Sequence, residues 1–169
     1  SGVVPVPDML QAGVNVALGT DGMSSHNSAD LFSDVKLAAC LQAGVRRDPM
    51  ALSACQALEM ATVNGAEALG RDTGVSAPGK TADLILVDFS APNLTPCHDV
   101  AENLGYAAHG SNVDMNMARG KVIYEKGEFF TLDLERIRYE VERYALPLLF
   151  GSKACSPISV FCLLTPIST

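Results

Sequence analysis

The feature of the sequence that most constrains its fold is a short, mostly apolar run, VNVAL at residues 14–18, which glycines flank on both sides. A run of this length between turn signals is typical of a strand that is buried on both faces, as in a parallel sheet. The preceding segment, residues 5–13, has an early proline and a terminal glycine, which predict a short helix. A helix, a tight turn and a buried strand in succession predict an α/β fold.

The rest of the chain is helical first and β-rich later. The predicted helices cover residues 30–43, 49–61, 63–69 and 133–150, and the predicted strands lie at 82–89 and within 113–130. Asp48 and Pro49 are the expected N-cap and first residue of the second of these helices. The turns at Arg119-Gly120 and Lys126-Gly127 predict hairpins in a small β module.

Charge and cysteine content exclude several classes of protein. The chain has 12 Lys and Arg against 19 Asp and Glu, a net charge of −7, which disfavours nucleic acid and anionic membranes as partners. No apolar run reaches the roughly 18 residues that span a bilayer, and the start of the chain has no signal-peptide pattern. Five cysteines without a CxxC spacing predict free thiols and a cytoplasmic protein.

Asp21 is the strongest candidate for chemistry, because it follows the predicted buried strand within LGTDG at residues 18–22. The carboxyl ends of parallel strands form the edge where ligands bind in α/β folds. A carboxylate at that edge can bind a cation or act as a base. The local pattern alone favours a simpler role, in which Asp21 caps a turn.

Four ordered stretches of the chain resemble the amidohydrolase superfamily, in its cytosine-deaminase-like and chlorohydrolase-like branch. They are PVPDMLQAGVNVALGTDGMSSHNSADLF (5–32), ALEMATVNGAEALG (57–70), GVSAPGKTADLILVD (74–88) and HGSNVDMNMARGKVIYEKGEF (109–129). The resemblance implies the last strand and helices of a metal-dependent (β/α)₈ barrel, plus strands of a small β-sandwich. At 169 residues the chain is too short for a whole barrel, which needs about 250.

The same resemblance implies a division of the chain into four segments. They are a barrel part at residues 1–73, a β-sandwich segment at 74–132, a C-terminal helix at 133–150 and a disordered, unpatterned tail at 151–169.

The resemblance assigns Asp21 two roles, as a ligand of a zinc or iron ion and as the base that takes a proton from the attacking water. The family's other ligands are histidines that precede this Asp, including an H-x-H pair. All three histidines of this chain follow Asp21, so the resemblance implies a C-terminal fragment of a longer enzyme. One carboxylate cannot hold a catalytic zinc, and we therefore expect the chain alone to be inactive.

Several polar residues after Asp21 are weaker candidates. Ser25 and Asn27 match loop positions where the resemblance implies substrate contacts. Asp30 is more simply explained as a helix N-cap, and His26 as an exposed loop residue. His98 is expected to make a structural hydrogen bond, and His109 to lie in a turn.

The resemblance implies a parent enzyme that hydrolyses carbon–nitrogen bonds other than peptide bonds. The favoured reaction is deamination of an amino-purine nucleoside such as S-adenosylhomocysteine or 5′-methylthioadenosine. A triazine chlorohydrolase of the same family and a non-catalytic truncated fragment are the alternatives. The expected partner is a small-molecule substrate, and the unpaired edges of the predicted strand also permit a homo-oligomer.

Overall fold

The computed structural model describes residues 2–151, so the predicted tail lies outside the described residues except for its first glycine. The chain divides into two compact units between Phe130 and Thr131. The helices of the first unit are Val6–Gln11 (α1), Met23–His26 (α2), Leu31–Arg46 (α3), Ala54–Ala61 (α4), Val63–Ala68 (α5) and Val100–Tyr106 (α6). Its strands are Leu84–Val87 (β1), Val113–Ala118 (β2), Lys121–Glu125 (β3) and Glu128–Phe129 (β4).

The four strands form an antiparallel sheet in the order β1-β2-β3-β4. Leu84 pairs with Met117, and Tyr124 pairs with Phe129, where the two rings lie 4.8 Å apart between centroids. Arg119 and Gly120 have φ of 50° and 74°, the positive values that tight two-residue hairpin turns require. The sheet therefore confirms the strands and hairpins predicted from the sequence.

Residues 14–18 do not form the predicted strand. They are extended, but within the described part of the chain no other strand pairs with them. Their polar groups bind the helices instead: the backbone N–H of Leu18 donates to the carbonyl of Met60 at 2.9 Å, and the Asn64 amide donates to the carbonyl of Val16 at 3.0 Å. A strand exists only where a neighbour completes its ladder, which sequence periodicity cannot supply.

The core of the first unit lies between α1, α3, α4 and the extended segment. It consists of Val6, Val35, Leu52, Ala57 and Met60, with Val16 and Leu18 packed against it. The extended segment is therefore held by apolar contact as well as by hydrogen bonds. This packing holds the segment that leads to Asp21 against α1, α3 and α4, which we call the helical layer.

Helix α4 starts later than the sequence predicted, at Ala54 rather than Pro49. Ser53 forms a reciprocal capping box with Gln56, in which the Gln56 N–H donates to the Ser53 hydroxyl at 3.2 Å. The Asp48 carboxylate instead accepts from the N–H of Met50 at 2.9 Å, which closes a turn. The prediction was wrong because two candidate caps lay five residues apart, and only the second continues into a helix that packs.

Helix α6 was not predicted, because residues 89–112 contain prolines and little apolar pattern. The Asp99 carboxylate caps it by accepting from the N–H of Glu102 at 2.9 Å. Gly105 lies against α4 so closely that a Cβ there would come within 2.6 Å of the Ala54 Cβ. The two helices cross at a contact where only a glycine fits.

The second unit contains the predicted C-terminal helix. Helix Leu134–Glu140 (α7) runs through one π-helical stretch, Val141–Ala145, into Leu146–Phe150 (α8). The Asp133 carboxylate caps the start by accepting from the N–H of Arg136 at 2.9 Å. Pro147 is the second residue of α8, which begins directly after the π-helical stretch.

Two further sequence expectations concern the surface. Cys40, Cys55 and Cys97 are free thiols, as predicted, and all three are exposed, whereas the other two cysteines lie outside the described residues. Among residues 2–151 there is no helix with the length and apolar character to cross a bilayer.

The α4–α6 contact generates a stability prediction. Gly105→Ala should lower the free energy of unfolding by about 1–3 kcal/mol, because overpacking outweighs the gain in helix propensity. The added methyl group has no space beside Ala54. Denaturant unfolding of the 169-residue chain measures this change.

Gly44→Ala is the matched control, because Gly44 also lies in a helix but has no atom within 4 Å of the new Cβ. It should raise the free energy of unfolding by about 0.5–1 kcal/mol. Ala54→Gly should largely restore the Gly105→Ala variant. Equal effects of the two glycine substitutions would contradict the close contact.

Candidate active site

Asp21 lies three residues after the extended segment, at the start of the loop Asp21–Asp30, which we call the site loop. The carboxylate of Asp21 is exposed and accepts from the N–H of Gly22 at 2.7 Å. Its φ is 57°, a left-handed value that costs a non-glycine residue of the order of 1–3 kcal/mol. Asp adopts this conformation more readily than most residues, so the φ value is compatible with a turn residue as well as with a functional one.

The strain extends through the site loop. Asn27 and Ala29 have φ of 70° and 51°, so three residues of this short loop are left-handed without being glycine. The single turn of α2 lies between them and Asp21, and the N–H groups of Ser25 and His26 both donate to the Gly22 carbonyl. A loop with this much backbone strain needs tertiary contacts to hold it.

Ser25 and Asn27, the predicted substrate contacts, are both exposed on the site loop. Asn27 is the C-cap of α2, and its backbone N–H donates to the Met23 carbonyl at 3.2 Å. Within residues 2–151 neither the Ser25 hydroxyl nor the Asn27 amide makes a side-chain hydrogen bond. Both side chains are therefore available to a ligand.

His26 is not the exposed loop residue that the sequence favoured. Its side chain is 26% exposed, and its Nε2 lies 2.7 Å from Oδ1 of Asp34 on α3. The other ring nitrogen, Nδ1, accepts a long hydrogen bond from the N–H of Ser28 at 3.4 Å. The prediction was wrong because its buried partner lies on a different element.

Asp34 was missed by the sequence analysis. It is 7% exposed, and it shares the buried face of α3 with Val35, Ala39 and Gln42. An acidic residue beside the apolar positions of a helix was the signal that could have found it. It was overlooked because an acid in the first turn of a helix is also common at the surface.

Asp30 is the N-cap of α3, as the sequence favoured. Oδ1 accepts from the N–H of Phe32 at 3.1 Å, while Oδ2 accepts from the N–H of Gly110 at 3.1 Å, across 80 residues of sequence. Asp30 therefore also ties the end of the site loop to the turn that precedes β2. That second role was not predictable, because Gly110 is distant along the chain.

The other histidines do not contribute to the site. His109 is exposed and lies in a turn, as predicted, where its N–H donates to Oδ1 of Asn112 at 2.9 Å. His98 is exposed, and its ring makes no hydrogen bond to any described residue, so the expected structural bond is absent. No group of three or more His, Cys, Asp or Glu side chains within residues 2–151 could hold a metal ion. Asp21 would be one ligand of a metal, and the described residues do not complete the set.

A groove of about 790 Å³ lies between α5 and the strands β1, β2 and β3. Leu69, Val75 and Met117 are among its apolar walls, and none of Asp21, Ser25 and Asn27 lines it. Leu18 and Leu31, which come shortly before and directly after the site loop, also line the groove, so it reaches both ends of that loop.

Comparison with known proteins supplies the family. A model described as the amidohydrolase family matches residues 1–123. A 5-methylthioadenosine/S-adenosylhomocysteine deaminase from Moorella thermoacetica is 51% identical over 145 residues, which are 85% of this chain and 34% of that protein.

Two solved structures share the fold. An adenosine deaminase from Xanthomonas campestris with bound zinc has a TM-score of 0.82 and 37% identity, over 86% of this chain and 34% of that one. An atrazine chlorohydrolase from Arthrobacter aurescens in complex with zinc has a TM-score of 0.77 and 32% identity, over 84% of this chain and 32% of that one. The chain thus spans about a third of the length of the relatives it matches.

These similarities confirm the predicted fold class. The chain corresponds to part of an α/β amidohydrolase barrel, with helices and a small antiparallel sheet. Because the family model matches well over half of its residues, the chain belongs to the amidohydrolase family.

Proposed function

We propose that the complete protein is a metal-dependent hydrolase that deaminates an amino-purine nucleoside, such as 5′-methylthioadenosine or S-adenosylhomocysteine. The observation that carries this proposal is the 51% identity to a deaminase of that name over 145 residues. The exposed, strained Asp21 on the site loop adds a group with the right chemistry. Free, exposed thiols fit a reducing compartment, and we assign the protein to the cytoplasm.

In this proposal Asp21 is the chain's contribution to a metal centre whose other ligands come from the remaining part of the protein. A catalytic zinc needs about three protein ligands and an open position. A divalent metal supplies a Lewis acid that makes water a stronger nucleophile. Zinc is favoured over iron, because both solved relatives described above hold zinc.

The chain's own chemistry is a proton transfer. The oxygen of water forms a bond to the purine carbon that carries the amino group, and the carbon–nitrogen bond breaks to release ammonia. The Asp21 carboxylate accepts a proton from that water and returns it to the departing nitrogen. Ser25 and Asn27, with free polar groups on the same loop, are the proposed substrate contacts.

A triazine chlorohydrolase is the second candidate, and it rests on the TM-score of 0.77 to the atrazine enzyme. There water would displace chloride instead of ammonia. We favour deamination because identity to the deaminase is 51%, against 32% to the chlorohydrolase. The other alternative, a non-catalytic truncated fragment, predicts no turnover and no bound metal for the chain by itself.

A chimeric enzyme tests the proposal. The aligned segment of the Moorella thermoacetica deaminase is replaced by this chain, and ammonia release from 5′-methylthioadenosine is measured. The chimera should be active, and Asp21→Asn should lower kcat at least about 100-fold, the low end for losing general acid–base catalysis. This substitution keeps the size of the side chain and removes its basicity.

Asp72→Asn is the control, because Asp72 is exposed and only pairs with Lys80, an interaction worth little. It should leave kcat within about twofold of the parent chimera, which corresponds to less than 0.5 kcal/mol. A matching chimera built on the atrazine chlorohydrolase tests the alternative. Chloride release there, with no ammonia release from a folded deaminase chimera, would overturn the deaminase proposal.

Metal content gives a separate prediction. The isolated 169-residue chain should hold well under one zinc ion per molecule after dialysis, since its described residues contain no group of three metal-ligating side chains. The folded chimera should hold about one. Elemental analysis of both proteins measures the difference, and stoichiometric zinc on the isolated chain would show that it completes a site unaided.

A further inference from the structure

Asp34 has an unusual environment for a carboxylate. It is 7% exposed on α3, and its Oδ1 accepts from His26 at 2.7 Å. Its Oδ2 is buried and has no hydrogen-bond partner among the described residues. Buried carboxylates are costly unless their oxygens are satisfied, so this residue is expensive for the fold to keep.

The hydrogen bonds of His26 define its tautomer. The N–H of Ser28 can only donate, so Nδ1 accepts from it and carries no proton. Nε2 must then hold the proton and donate it to Asp34. The imidazole joins the middle of the site loop to the buried face of α3.

The site loop has few other ties to the helical layer. Its strain lies at Asp21, Asn27 and Ala29, on both sides of His26. Asp30 holds the far end of the loop through its cap on α3 and its bond from Gly110. Among the hydrogen bonds of the described residues, the His26–Asp34 contact joins the interior of the site loop to α3, and the Leu18–Met60 bond holds the chain before Asp21.

We propose that Asp34 is a positioning residue, whose carboxylate holds His26 in the Nε2-protonated tautomer and thereby orders the site loop that presents Asp21. The effect on catalysis rests on the proposed function, whereas the effect on the loop does not. His26 in this arrangement uses both ring nitrogens within the chain, so it is neither a metal ligand nor a base.

Because only one oxygen of the buried Asp34 carboxylate has a hydrogen-bond partner, substitutions of Asp34 and of His26 should affect the stability of the chain differently. Asp34→Leu removes the unpartnered oxygen together with the tie, so the loop loosens while the melting temperature of the chain does not fall. His26→Ala leaves both oxygens of Asp34 buried without a partner, so the melting temperature falls by about 5–15 °C. A melting temperature that falls equally in both variants would contradict this expectation.

The first experiment uses the 169-residue chain and does not depend on catalysis. Nitrogen-15 NMR reports the tautomer of His26, and hydrogen exchange reports the amides of Ser25 and His26, which bond to Gly22. Asp34→Leu should abolish the single tautomer and speed both exchange rates at least about tenfold. Asp34→Asn keeps an acceptor oxygen for Nε2 and should retain the wild-type tautomer and rates.

The second experiment places the same variants in the deaminase chimera. Asp34→Leu should lower kcat about 10–100-fold with little change in KM, as expected for a misplaced catalytic group, and Asp34→Asn should restore most of it. An unchanged tautomer and unchanged exchange rates in Asp34→Leu would overturn the proposal that Asp34 holds His26 and orders the site loop. A loosened loop with unchanged kcat would overturn its role in positioning. An inactive but folded parent chimera would overturn the proposed function. The measurements on the isolated chain would still test whether Asp34 orders the site loop.

Discussion

The structure depends on the way an extended segment is fastened to two consecutive helices. The backbone N–H of Leu18 donates to the carbonyl of Met60. The backbone carbonyl of Asn64 accepts from the side-chain amide of Asn15, and the side-chain amide of Asn64 donates to the carbonyl of Val16. These bonds satisfy backbone groups that a sheet would otherwise satisfy. The apolar contacts of Val16 and Leu18 with the core add to them, and together they determine where the site loop begins.

The site loop is then braced at points beyond its start. One oxygen of the Asp30 carboxylate caps α3, and the other accepts from the N–H of Gly110 in the turn before β2. This carboxylate therefore ties the end of the site loop both to α3 and to that turn. Gly110 in turn adjoins Asn112, whose side chain accepts from the N–H of His109 and exchanges hydrogen bonds with Asn93. A strained loop that carries a reactive group is stable only with supports of this kind.

What this chain can contribute to a metal centre follows from the number of metal-ligating side chains it brings together. One exposed carboxylate on a braced loop can contribute to a metal centre but cannot form one. The relatives that the chain matches are much longer, since the chain covers about a third of each, and the two solved structures contain zinc. In our proposal Asp21 therefore contributes one ligand to a metal centre that other parts of the protein complete, and the residues around it hold it in place.

The sequence by itself determined the local features. The cap at Asp30, the hairpin turns at Arg119-Gly120 and Lys126-Gly127, and the motif around Asp21 all depend on groups within a few residues of one another. The family also followed from the sequence, because its motifs are ordered along the chain.

Only the tertiary structure decided the features whose partners are distant. Whether residues 14–18 pair with a strand or with helices depends on Met60 and Asn64, more than 40 positions away. The close contact between α6 and α4 joins Gly105 to Ala54, and the hydrogen bond from Gly110 to Asp30 joins residues 80 positions apart. The burial of Asp34 depends on which face of α3 packs inward. Caps and turns are satisfied locally, whereas burial and long-range hydrogen bonds exist only once the chain has packed.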